Sequence, residues 1–117
     1  MKTSKHGSLT LLELDPEGPL LGSDSDASDI LGEAFSSEAT VVVIPLSRLD
    51  PQFLELRSGL AGGFFQKLQN YNTRLVIVGD ISAEIAASRS LHDFVTETNR
   101  VGNHLFVPDR ATMLTRL

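Results

Sequence analysis

The chain has 117 residues, of which 41% are hydrophobic and 21% charged, with a net charge of -5 and no cysteine. This is the composition of one soluble globular domain with its own core, and it excludes disulfides and thiol catalysis. The acidic balance argues against nucleic acid as a partner, and no apolar run approaches the roughly 18 residues of a membrane-spanning helix.

The first residues, MKTSKHGS, show no hydrophobic pattern, so residues 1–7 read as a flexible tail ahead of a single domain over residues 8–117. The run behind them, LTLLELD, is short and carries Glu13 and Asp15, which does not fit a signal peptide; a cytoplasmic setting is the default expectation. Ser8 to Leu14 reads as a first strand closed by the turn DPEGP. Ser23 to Ser37 reads as a helix with Asp24, Asp26 and Asp29 near its positive end and Ile30, Leu31, Ala34 and Phe35 as its apolar stripe. Thr40 to Leu46 (TVVVIPL) suits a strand covered on both faces, with pairing lost near Pro45. After the connection SRLDPQFLELR, a helix is expected over Ser58 to Tyr71, with Leu60, Phe64 and Leu68 on one face. Arg74 to Val78 reads as a further buried strand. Ser82 to Asn99 is helical with a break near Ser88 to Ser90, where Ser90 and Asp93 suggest a capping pair. His104 to Val107 and Arg110 to Leu117 supply a last strand and helix. Alternation of this kind predicts an α/β domain with a mainly parallel four-stranded sheet and right-handed crossovers.

Ligands of open α/β sheets gather outside the carboxyl ends of the strands. Those ends bring forward Ser47, Arg48 and Asp50 after the Thr40–Leu46 strand and Asp80 and Ser82 after the Arg74–Val78 strand. Ser58 and Gly59, opening the next helix, should face the same edge. Each also has a plain structural role: Asp50-Pro51 opens turns, Ser58 and Ser82 cap helices, and an aspartate after a strand commonly fixes its loop. Gly59, Gly62 and Gly63 fit neither nucleotide loop pattern and lack the phosphate-binding lysine; close packing of the helix on the sheet accounts for them better. The acidic run DSDASD has the spacing of a calcium loop, but it lacks the turn glycine and has Phe35 where a bidentate glutamate belongs. His6, His92 and His104 share no metal-ligand spacing, and no serine lies in G-x-S-x-G. No catalytic residue, metal or cofactor is therefore expected. The adjacent Phe64 and Phe65 point about 100° apart on a helix, so burying both requires cover from the sheet and a neighbouring loop or from a second subunit; burial in the domain's own core is the expected outcome, and exposure of Phe65 or Phe53 would point to a dimer contact.

The segment LDPQFLELRSGLAGGFFQKLQNYNTRLVIVGDIS, with SLHDFVTETNR and LFVPD behind it, resembles the bacterial domain-of-unknown-function family numbered 4180. The resemblance runs from about Ile30 to the C-terminus. The layout is also similar to that of STAS domains, the fold of sulfate-transporter cytoplasmic domains and anti-sigma factor antagonists. That resemblance implies a Ser-Gly pair opening a helix after a central strand, with the serine phosphorylated by a partner kinase. The matching positions are Ser58 and Gly59, preceded here by Leu56-Arg57 where the antagonists typically have Asp-Ser.

Three functional expectations follow. The leading one is a STAS-like regulatory module working by protein–protein contact, with a phospho-switch at Ser58 and Arg57 beside it. The alternative is a small-ligand or anion-binding domain, with an enzyme as one form of it, using Arg48, Asp50, Ser58, Asp80 and Ser82. The third is a homodimer built on Phe53, Phe64 and Phe65.

Overall fold

The computed structural model describes residues 1–117. Its first feature departs from expectation: Lys2–His6 is a strand, β1, paired antiparallel with β2 (Leu9–Glu13) through a two-residue loop that places His6 opposite Leu9. Gly7 carries the positive φ of 61° that this tight hairpin needs. The segment taken as a flexible tail is thus an edge strand. Its polar side chains, lysines included, are typical of an edge that must not pair with a second chain, and they hide it from a search for apolar alternation.

The chain continues through α1 (Asp24–Ser36), β3 (Val41–Pro45), α2 (Leu60–Asn70), β4 (Arg74–Val78), α3 (Ser82–Ala87), α4 (Arg89–Val101), β5 (Leu105–Val107) and α5 (Arg110–Arg116). The sheet has five strands, not four, in the order β1-β2-β3-β4-β5. It is mixed: β2 to β5 run parallel, and β1 is the antiparallel edge. The β3–β4 ladder ends at Pro45 opposite Val78, where the missing N–H stops it.

Strand order that follows the sequence sends each right-handed crossover to the same side of the sheet. The larger core lies there: Val42, Ile44, Leu75, Ile77 and Phe106 from the strands meet residues of α1, α2 and α4. On the opposite face Leu11, Val41, Val43, Val76, Leu105 and Val107 pack against Met113 of α5. Alternation between two covered faces explains why β3 and β4 read as unbroken apolar runs.

The helices follow local rules with two adjustments. Ser23 caps α1 by accepting the Asp26 N–H at 3.1 Å while the Asp26 carboxylate accepts the backbone N–H groups of Gly22 and Ser23. Ala27, Ile30 and Ala34 are buried, but Phe35, expected in that stripe, is 87% exposed, one step of about 100° beyond Ala34. The break between α3 and α4 occurs as expected, although its cap is Ser88, accepting the Leu91 N–H at 3.2 Å, and not Ser90 with Asp93.

Phe64 and Phe65 are both buried because the connection ahead of α2 folds over them. Phe53, fully buried, lies edge-on to Phe64 at 5.7 Å and tilted against Phe65 at 6.3 Å. Phe94 and Phe106 close the other side of Phe65 at 5.8 and 5.5 Å. The three rings are buried in the domain's own core, as expected, and none is left exposed for a subunit interface.

Candidate functional site at the strand carboxyl edge

The connection from β3 to α2, Leu46 to Gly59, is three successive 3₁₀ turns, Leu46–Arg48, Pro51–Leu54 and Leu56–Ser58. Asp50 caps the second by accepting the Gln52 N–H at 2.9 Å. Ser58 ends the third. Gly59 then takes a left-handed φ of 78°, so α2 starts at Leu60 and not at Ser58. The Ser58 hydroxyl is exposed yet doubly engaged: it donates to the Gln52 carbonyl at 2.7 Å and accepts the Leu60 N–H at 3.2 Å. It ties the last turn of the connection back to the one before it. Arg57 is exposed and forms no ion pair.

The other expected residues do not converge on Ser58. Arg48 turns toward the β2–α1 loop, where Nε donates to the Pro19 carbonyl at 2.9 Å and Nη1 to that of Asp15 at 3.0 Å. Gly18 packs so closely on that guanidinium that a Cβ would come within 2.8 Å of Cζ. Arg48 is a staple between two loops. Ser47 adds a second, donating to the Pro16 carbonyl at 2.6 Å. Asp80 accepts the Ser82 N–H at 2.9 Å, and hydrogen bonds from the Ser82 side chain and then its backbone hold the Asp80 carboxyl below the usual range. That pair borders a separate recess of about 230 Å³ beside Phe106 and Pro108.

Between the connection and the broken helix lies a cleft of about 480 Å³. Leu46, Leu54 and Leu91 supply its apolar lining, and Asp50, Glu55 and Glu84 its polar groups; no lysine, arginine or histidine borders it. Its walls are the 3₁₀ turns after β3 and the α3–α4 junction after β4. Of the residues singled out in the sequence, Asp50 alone lines it. Glu55 and Glu84 carried no motif that would have brought them forward.

Two further polar centres also escaped the sequence. Glu13, only 6% exposed, receives Arg110 of α5 through Nε at 2.8 Å and Nη2 at 3.0 Å, and the Ser4 hydroxyl donates to it from β1. The hydrogen bond from Arg110 is the main reason its carboxyl sits below the ordinary value. His104 accepts the Leu75 N–H at Nδ1, 2.9 Å away, and its buried Nε2 has no hydrogen-bond partner. Burial, followed by the charge of Arg74, lowers its pKa. Residues 97 and 29 positions apart cannot be paired by spacing alone.

The family model for a domain of unknown function, DUF4180, matches residues 6–117, nearly the whole of this fold. The chain belongs to that family. No curated protein and no solved structure matches it significantly. Within this DUF4180 domain no group of three histidine, aspartate or glutamate side chains is placed to hold a metal ion, and no helix is long and apolar enough to cross a membrane.

Proposed function

We propose that this DUF4180 domain is a regulatory protein–protein interaction module of STAS-like layout, whose contact surface is the carboxyl edge around the β3–α2 connection and whose switch is phosphorylation of Ser58. The observation that carries the reading is the double engagement of an exposed hydroxyl. Ser58 is open to a kinase, and its hydrogen bond to Gln52 holds the turn that walls the cleft.

Phosphorylation removes the donated hydrogen and brings about -1.5 to -2 charge toward the Gln52 carbonyl. That oxygen then faces an anion where it had a donor. The start of α2 favours the phosphate by only about 0.3–1 kcal/mol, and Arg57 offers a charge-assisted bond. Both draw the group away from Gln52, so the Leu56–Ser58 turn loosens from the Pro51–Leu54 turn, which Phe53 keeps anchored in the core, and the contact surface around Glu55 changes shape.

The small-ligand alternative has less support. Arg48 is committed to backbone carbonyls, and Asp80 with Ser82 borders a different recess from Asp50. An anion would find no free cation in the main cleft.

The test is to capture partners on the native chain and measure their affinity for wild type, Ser58→Ala and Ser58→Asp. Alanine removes both hydrogen bonds of the hydroxyl; the one that ties the cleft wall, to Gln52, is worth about 1 kcal/mol, so a loss of about fivefold is expected. Aspartate cannot donate to the Gln52 carbonyl and sets a carboxylate against it, so it should cost at least tenfold. Equal affinity for all three would refute the switch.

A further inference from the structure

We infer that the cleft between the β3–α2 connection and the α3–α4 junction docks a partner segment that presents an apolar side chain flanked by basic residues. The inference rests on the reading above that the domain works by protein contact, and it supplies the chemistry of the partner.

Its size comes first. About 480 Å³ is within the range of sites that enclose one or two large side chains. Leu46, Leu54 and Leu91 give such side chains an apolar bed. The charge decides the rest. Asp50, Glu55 and Glu84 border the bed, and no basic side chain does. None of the three takes part in any of the chain's six ion pairs. The carboxylates of Glu55 and Glu84 accept no hydrogen bond, and that of Asp50 uses one oxygen for the Gln52 N–H. Their attraction is therefore directed outward, toward an incoming cation. An acidic or phosphorylated partner would meet three like charges with nothing to offset them. An uncharged apolar segment would gain the bed but leave the rim unmatched. A leucine or similar residue with lysine or arginine on either side satisfies both. Exposed carboxylates act mainly on encounter and selectivity, so the preference should weaken as salt is raised.

The experiment is a nuclear magnetic resonance titration of the full chain with synthetic peptides. One carries two leucines between paired lysines; a second has glutamates for the lysines; a third has serines for the leucines. Octylammonium is titrated in parallel as a small amphipathic cation. The lysine–leucine peptide should perturb the Leu54, Glu84 and Leu91 amides and bind about tenfold more tightly than either peptide control. In the chain carrying Glu55→Lys and Glu84→Lys the order of the lysine and glutamate peptides should reverse. Both glutamates lack side-chain partners, and a thermal melt verifies that the double variant folds. Failure of the lysine peptide to bind, equal binding of all three peptides, or an unchanged order in the charge-reversed chain would overturn the inference. Tighter binding of octylammonium than of the lysine peptide would also overturn it, assigning the cleft to a small molecule. Ser58→Asp separates the two proposals. If wild type and Ser58→Asp bind the lysine peptide equally, the cleft stands and the switch falls. If wild type does not bind, the cleft falls whatever the outcome at Ser58.

Discussion

Arg110→Met tests what fixes the second face of the sheet. α5 is only seven residues long and reaches across that face from β5, with Met113 as its one fully buried anchor. Its tie to the buried side chains of the sheet is the Arg110 guanidinium on Glu13, at 2.8 and 3.0 Å, while Arg116 donates to the Asn99 carbonyl of α4 at 3.2 Å. Methionine keeps the aliphatic stem and removes both donors, leaving the Ser4 hydroxyl as the remaining partner of a carboxylate that is 6% exposed. Stranding one member of a fully buried pair costs about 3–5 kcal/mol. The Arg110 side chain is 52% exposed, so water can re-enter, and about 1.5–3 kcal/mol is the expected loss at neutral pH. Urea denaturation measures it directly. The pH dependence gives a second reading. Glu13 titrates below its ordinary value of 4.5 in the folded chain, so between that folded value and 4.5 the unfolded state binds more protons. The stabilisation is complete above 4.5 and is lost as pH falls through the folded value. The gap between wild type and Arg110→Met should therefore narrow on acidification. Adding Glu13→Gln to the variant should recover much of the loss, because a neutral amide tolerates burial better than a lone carboxylate. A deficit below about 0.5 kcal/mol that does not change with pH would refute the reasoning, since that is the range of an ordinary surface substitution.

Three other substitutions have definite expected outcomes. Gly62 and Gly63 of α2 have no heavy atom within 4 Å of an added Cβ and no positive φ, so alanine at each should stabilise the domain by about 0.5–1 kcal/mol; calorimetry showing a lower melting temperature for both would contradict the open geometry. His104 must stay neutral to accept the Leu75 N–H, and its pKa lies below 6.5. Stability should therefore be complete above pH 6.5 and decline as pH falls from there toward the folded value, a component that urea midpoints should show to be missing in His104→Phe.

The parallel strands were legible because each is covered on both faces, which leaves a continuous apolar run such as Val41 to Ile44. β1 was not, because an edge strand earns its place through backbone pairing and shows no apolar face; the one local clue was Gly7 between two short polar and apolar stretches. The glycines of α2 misled in the opposite direction. Close packing on the sheet was the natural reading of Gly62 and Gly63, yet both face solvent, and the residue under real backbone constraint is Gly59. Gly79 shows what close approach looks like here: with φ 156°, a Cβ would come within 2.5 Å of Leu46 Cβ. Family membership was legible from the central segment. Glu13 with Arg110 and Nδ1 of His104 with Leu75 were not, since contacts of that separation exist only once the sheet has formed.

The scattering of the expected site residues has a topological cause. Ligand crevices at the carboxyl edge of α/β sheets open where the strand order reverses and neighbouring connections diverge to opposite faces. Here the order never reverses, so consecutive connections climb the same side and no crevice arises from topology. Each strand end is closed by its own loop: Arg48 and Ser47 by the β2–α1 loop, Asp80 by Ser82. A recess needs something longer. The connection from Leu46 to Gly59 supplies it, arching over the edge in three short turns and meeting the break between α3 and α4. The cleft thus belongs to a loop and not to the sheet; Leu49 and Phe53 anchor the loop in the core, while its last turn, Leu56–Ser58, has no buried residue of its own. The Ser58 hydroxyl on the Gln52 carbonyl ties that turn to the one before it. Ser58 is on the wall and not among the lining residues, so the switch proposed above would act on the cleft through its shape and not through direct contact.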